Sequence, residues 1–116
     1  MHTVVETATF ISEAKALRLS SGDRLAIVEW IAAHPLAGDL MEGTGGARKV
    51  RFATGTKGKR GGFRVITFYG GVDIPVFLLN IFSKNEKTDL SPSECRALKS
   101  VLSELGHAYR GRGRHI

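Results

Sequence analysis

Two apolar stretches, "FRVITFY" (63–69) and "PVFLLNIF" (75–82), limit what this chain can fold into. The first is nearly apolar after Arg64, and Asn80 is the one polar residue of the second. Strands of this composition are typical of the centre of a sheet that is covered on both faces. The connection "YGGVDIP" is rich in Gly, Asp and Pro, which is typical of a hairpin turn longer than two residues. We therefore predict a buried central hairpin.

The other predicted elements surround this hairpin. "TVVETATF" and "ARKVRFA" have the β-branched content or alternation of strands, with Val50 on the opposite face from Lys49 and Arg51. "ISEAKAL" predicts a short helix, and "SSGDRLAIVEWIAAHP" predicts a longer one that Ser20 or Ser21 caps and the proline ends.

The final helix has the clearest start signal in the chain. In "SPSE", Ser91 is the predicted N-cap, followed by Pro92 at the first helical position and Glu94 as the capping-box partner. An apolar stripe continues to Leu105, and Gly106 is the predicted C-cap.

The order β-α-α-β-β-β-α predicts an α+β domain. We expect an antiparallel sheet of about four strands, with two N-terminal helices and one C-terminal helix packed mostly on one face of the sheet. The predicted domain spans residues 1–105, and residues 106–116 form a basic tail that we expect to be frayed.

Positive charge is concentrated in one part of the chain. The net charge is +6, the sequence pI is about 9.9, and seven cations but no acid lie between Gly43 and Arg64. Charge of this kind favours a polyanionic partner such as RNA, although a solvated basic loop is the simpler alternative. The candidate RNA-binding cations are Arg48, Lys57, Lys59, Arg60 and Lys87.

Several familiar chemistries lack their motifs in this sequence. The single cysteine excludes an internal disulfide, and the four histidines have no metal-ligand spacing, so we predict no metal and no other cofactor. Neither the nucleotide-binding glycine motifs nor a serine nucleophile elbow is present. The sequence contains no apolar run of membrane-spanning length and no signal-peptide pattern, so we expect a cytoplasmic protein without a membrane partner.

Arg64 is the residue most difficult to explain as ordinary surface charge. It shares strand parity with Ile66 and Phe68, which predicts a side chain on a packed face or at its edge. A buried arginine needs a partner, which is either a carboxylate brought by the fold or a phosphate that the guanidinium binds in bidentate fashion.

Three blocks, "GDLMEGTGGARKVRFA", "GKRGGFRVITFY" and "IFSKNEKTDLSPSE", follow "VVETATF" in an order that resembles the HigB-type branch of the RelE toxin superfamily. The resemblance extends roughly from Val4 to Leu105. It implies a small α+β toxin of a type II toxin–antitoxin module. Such a toxin cuts mRNA in the A site of a translating ribosome without a metal. The ribose 2′-OH attacks its own 3′ phosphate and leaves a 2′,3′-cyclic phosphate and a 5′-OH.

The resemblance also implies which residues form the site. Arg64 corresponds to the arginine of the central strand, Lys84 to the cation at the end of the next strand, and Lys49 and Arg51 to paired cations on the preceding strand. Relatives with a defined acid/base tyrosine carry it near the start of the last helix, where this chain has no tyrosine. Tyr69 and Lys49 are the candidate substitutes, whereas an arginine cannot act as a base.

We therefore expect a ribosome-dependent mRNA endonuclease with three kinds of contact. These are mRNA and ribosomal RNA at the A site, a helix-turn-helix antitoxin of the HigA type, and operator DNA only through the antitoxin complex. The alternative is a non-catalytic RNA- or ribosome-binding protein that blocks translation by occupancy.

Overall fold

The computed structural model describes residues 2–52, 62–84, 86 and 89–113, with side chains as far as Tyr109. Within them the chain forms five strands and three helices, in an order that extends the predicted one by a short strand. They are β1 (Val4–Glu6), α1 (Ala8–Ala16), α2 (Ser21–Ala33), β2 (Asp39–Leu40), β3 (Ala47–Phe52), β4 (Phe63–Phe68), β5 (Val76–Ser83) and α3 (Pro92–Gly113).

The strands form one mixed sheet in the order β1-β5-β4-β3-β2. β4 and β5 are antiparallel neighbours, as predicted for the apolar hairpin, and β3 and β2 extend the antiparallel pairing on the other side of β4. β1 is parallel to β5, so the sheet is not antiparallel throughout. The α+β class is confirmed, and the parallel edge strand follows from the α1–α2 crossover between β1 and the rest of the sheet.

The first strand is shorter than predicted. Thr7 is the N-cap of α1, and its hydroxyl oxygen accepts a hydrogen bond from Phe10 N–H at 3.2 Å. The same hydroxyl donates to Leu78 O at 2.7 Å. The β-branched residues of "TATF" therefore begin a helix, because the threonine cap outweighs their preference for strands.

Helices cover both faces of the sheet, so the expectation that they pack mostly on one face is wrong. One core holds Phe10 and Ala14 of α1 with Ile27 and Ile31 of α2, and the other holds Leu102 of α3. All six residues of β4 are buried. A strand that is apolar on both faces requires a covering layer on each, which is why α3 lies on the face opposite α1 and α2.

The predicted starts of α2 and α3 are confirmed. Ser20 and Asp23 form a capping box at the start of α2, and Ser91 and Glu94 form one at the start of α3. The predicted end of the last helix at Gly106 is wrong, because α3 continues to Gly113. Tyr109 packs edge-on against Phe77 with ring centroids 5.6 Å apart, which extends the apolar contact of α3 beyond the glycine. The division of the chain at residue 106 stays a prediction.

No helix within the described part of the chain combines the length and apolar character needed to cross a bilayer.

Gly38, just before β2, provides a stability test of the loop that leads into the sheet. Its φ is +94°, and a Cβ there would lie 2.6 Å from Lys49 O. We expect Gly38→Ala to lower the free energy of unfolding by at least about 2 kcal/mol, from backbone strain and collision together. The matched control is Gly43→Ala, which has a φ of +76° but no atom within 4 Å of the added methyl. Urea denaturation of both variants measures the difference, and equal losses would contradict the steric contribution.

Candidate RNA-binding and catalytic site

Three cationic residues of the predicted site share one face of the sheet. Arg51 of β3 lies directly opposite Arg64 of β4, and Lys49 lies opposite Ile66. Ile66 belongs to the core under α3, and alternate residues of a strand point to the same face. Lys49, Arg51 and Arg64 therefore lie on the α3 face, where β3 ends and β4 begins.

Arg64 is held firmly in this arrangement. Its relative exposure is 8%, so it lies on the packed face that its position in the strand predicted. Its Nη1 donates to Phe63 O at 3.5 Å, and Phe82 of β5 lies opposite it on the other side. Directly opposed like charges destabilise a strand pair, and a bound anion offsets that repulsion. The Arg51–Arg64 pair is thus suited to a phosphate.

A carboxylate reaches this face from the segment that precedes α3. Lys49 Nζ donates to Asp89 Oδ2 at 3.1 Å, and the side chains are 24% and 55% exposed. Asp89 Oδ1 also accepts from Leu90 N–H at 2.8 Å. Desolvation acts to raise the pKa of Asp89, but the Leu90 hydrogen bond and the hydrogen bond and charge of Lys49 together lower it. The pair is therefore a carboxylate beside an ammonium at neutral pH.

Asp89 is a candidate that the sequence did not reveal. It lies 40 positions from Lys49 in the chain, and only the packing of the α3 start against the sheet joins the two. The available signal was its place two residues before the capping serine, close to the position where the resemblance locates an acid/base group. An isolated aspartate in "KTDLSPSE" is also an ordinary turn residue, so the sequence alone did not distinguish the two roles.

Lys84 lies at the same end of the sheet as Arg64. It is the first residue after β5, its side chain is exposed, and its N–H donates to Gly62 O at 3.3 Å. Gly62 immediately precedes β4, so Lys84 is next to the start of the strand that carries Arg64. An exposed cation in this position can contact a polyanion bound at Arg64.

Tyr69 does not lie beside the cations Lys49, Arg51 and Arg64. It packs against the core on the α1–α2 face, and its ring lies 5.3 Å from that of His2 in a tilted arrangement. It also follows the end of β4, whereas Arg64 is near the beginning of the strand. A general base that acts beside Arg64 would have to lie on the α3 face of the sheet. Tyr69 lies on the α1–α2 face, so the geometry does not favour it as the base.

Arg48 also lies away from the group. Its Nη1 donates to Leu36 O and to Gly38 O, at 3.2 Å each. These hydrogen bonds connect the loop before β2 to β3, so Arg48 stabilises the fold at this position. The remaining predicted RNA-binding cations, Lys57, Lys59, Arg60 and Lys87, lie outside the described residues.

The described side chains of the site are thus cations and one carboxylate. Within the described ranges no three His, Cys, Asp or Glu residues are grouped as a metal ion would require. Guanidinium and ammonium groups can bind a phosphate and stabilise added negative charge on it, and a carboxylate can accept a proton.

The Lys49–Asp89 contact predicts a pH-dependent contribution to stability. The folded-state pKa of Asp89 is lowered, so its contribution is present above the unfolded-state pKa and is lost as the pH falls through the folded-state value. An exposed pair of this kind contributes about 0.2–1 kcal/mol. We expect Asp89→Asn to reduce the free energy of unfolding by about this amount at pH 7 and by less at pH 2, as measured by urea denaturation. A deficit that was larger at pH 2 than at pH 7 would contradict it.

Comparison with known families gives a match over most of the chain. The family model described as "RelE toxin of RelE / RelB toxin-antitoxin system" matches residues 2–110. The match includes every strand of the sheet, the start of α3, and the face that carries Lys49, Arg51, Arg64 and Asp89. The chain therefore belongs to the RelE toxin family of toxin–antitoxin systems.

Proposed function

We propose that this toxin is a ribosome-dependent mRNA endonuclease of the HigB type. The observation that carries the proposal is the direct opposition of Arg51 and Arg64, with Lys49 on the same face of the sheet. Membership of the RelE toxin family supports action on translation. In the proposed reaction a ribose 2′-OH attacks the adjacent 3′ phosphate, so that a 2′,3′-cyclic phosphate and a 5′-OH are formed without a metal.

Each cation has a task in this reaction. The buried Arg64 contacts the scissile phosphate and stabilises the additional negative charge of the five-coordinate phosphorus. Arg51 and Lys49 contact oxygens of the scissile or the neighbouring phosphate from β3. Lys84 and the cations of residues 57–60 bind the RNA backbone, where each neutralised phosphate makes binding more sensitive to salt.

The proposed partners follow from the same function. The substrate is mRNA in the A site, with ribosomal RNA beside it, and the compartment is the cytoplasm. A RelE-family toxin has an antitoxin partner, and we propose a HigA-type antitoxin with a helix-turn-helix domain. Operator DNA would be contacted only through the toxin–antitoxin complex.

Substitution of Arg64 tests the site. We expect Arg64→Ala to abolish growth arrest and to lower mRNA cleavage by about 100-fold to 1,000-fold, the usual cost of one charge-stabilising donor. Arg64→Lys should also lose activity, because an ammonium cannot reproduce the bidentate contact. Circular dichroism and antitoxin binding report whether each variant is folded. The control is Arg18→Ala, which removes an exposed cation after α1 and should remain toxic. Full toxicity of Arg64→Ala would refute the proposed site.

Mapping of mRNA 5′ ends after induction of the toxin distinguishes two possibilities. The toxin either cleaves mRNA or blocks the ribosome without cleavage. Cleavage should produce new 5′-OH ends inside codons of translated messages, and these ends should disappear when translation initiation is blocked. Intact messages on stalled ribosomes would instead indicate a non-catalytic blocker.

A further inference from the structure

The proposed reaction needs a group that removes the 2′-hydroxyl proton, and the described face of the sheet restricts the choice. The guanidinium groups of Arg51 and Arg64 are donors only and cannot accept the proton. The Lys49 ammonium already donates to a carboxylate, so it is placed as a proton donor. Asp89 holds the carboxylate of that contact, and its side chain is 55% exposed, so a substrate can reach it.

We propose that the Lys49–Asp89 ion pair is the proton-exchange pair of the toxin, with Asp89 as the general base and Lys49 as the general acid. The inference rests on the proposed endonuclease function. It assigns to two residues on the α3 face the steps that Arg64 and Arg51 cannot perform.

The proton balance of the reaction is complete with these two groups. Asp89 takes the proton as the 2′-O–H bond breaks and the new 2′-O–P bond forms. The P–O5′ bond breaks, and the departing 5′ oxygen takes a proton from the Lys49 ammonium. Transfer of the proton from Asp89 to the neutral Lys49 amine, across the 3.1 Å contact, then restores the resting ion pair.

Substrate binding itself would prepare Asp89 for this task. In the free protein, Lys49 and the Leu90 N–H lower the pKa of Asp89 against the opposing effect of desolvation. When the ammonium turns to a phosphate, its stabilising effect on the carboxylate weakens. The nearby phosphate charge and the exclusion of water then raise the pKa of Asp89 toward the working pH, where a general base is more effective.

Among the described residues, Glu94 and Glu86 are the acids closest to Asp89 in the sequence. Glu94 of α3 accepts the Ser91 N–H at 2.8 Å as part of the helix cap. Glu86 is an exposed acid in the same connection between β5 and α3, three residues before Asp89. Glu86→Gln is therefore a matched control, because it removes the same charge from the same segment.

Single-turnover cleavage of mRNA on programmed ribosomes, with the full-length toxin, tests the assignment. We expect Asp89→Asn to cleave about 100-fold to 10,000-fold more slowly than the wild type, the usual range for a lost acid or base. Ribosome binding should be retained, since the substitution adds no negative charge. The wild-type rate should fall on acidification as Asp89 becomes protonated, and Asp89→Asn should lack this dependence. Glu86→Gln should match the wild type.

A substrate with sulfur in place of the bridging 5′ oxygen separates the two roles, because a thiolate leaves without a proton. Lys49→Arg keeps the charge but is a poor proton donor, so it should be slow on the ordinary substrate and restored on the sulfur substrate. Asp89→Asn should be slow on both substrates. Restoration of Asp89→Asn by the sulfur substrate would overturn its assignment as base.

The outcomes distinguish this inference from the proposed function. If the wild type and Glu86→Gln cleave mRNA and Asp89→Asn cleaves within about threefold of them, the assignment of Asp89 is wrong and the endonuclease stands. If the wild type leaves mRNA intact on the ribosome, both are overturned. Circular dichroism and antitoxin binding show that each compared variant is folded.

Discussion

The burial of β4 on both faces is the constraint on which this structure depends. Six consecutive buried residues require α1 and α2 beneath the sheet and α3 above it, and they place β4 between β3 and β5. The same burial makes the strand a rigid support for Arg64, which is 8% exposed. A guanidinium held in this way loses little further conformational freedom when it binds a phosphate, so more of the interaction is available to stabilise the transition state.

The register between β3 and β4 brings the other cations of the candidate site next to Arg64. It places Arg51 opposite Arg64 and Lys49 two residues farther along the same face. A group of cations on one face favours an anionic ligand, and the segment before α3 supplies a carboxylate at one edge of the group through Asp89. The result is an arrangement in which phosphate binding and proton transfer can occur side by side. Neither strand alone could provide it.

The elements of the fold were largely predictable, because local patterns determine them. The apolar hairpin, the serine cap of α2, the capping box of α3 and the alternation of β3 each appear in the structure as predicted. The errors occurred where tertiary contacts override local preference. Thr7 caps a helix, and its hydroxyl also donates a hydrogen bond to Leu78 O. α3 continues through Gly106 because Tyr109 packs against Phe77.

For the candidate site, the sequence by itself determined the cations and their parity. Lys49, Arg51 and Arg64 lie on one face because residues two apart in a strand point the same way and because Arg51 and Arg64 are paired. Tertiary structure decided which other groups join them. It places Tyr69 against the opposite core and brings Asp89 to Lys49 across 40 residues of chain. Such a contact depends on how a helix seats on a sheet, and no local preference of either segment encodes that position.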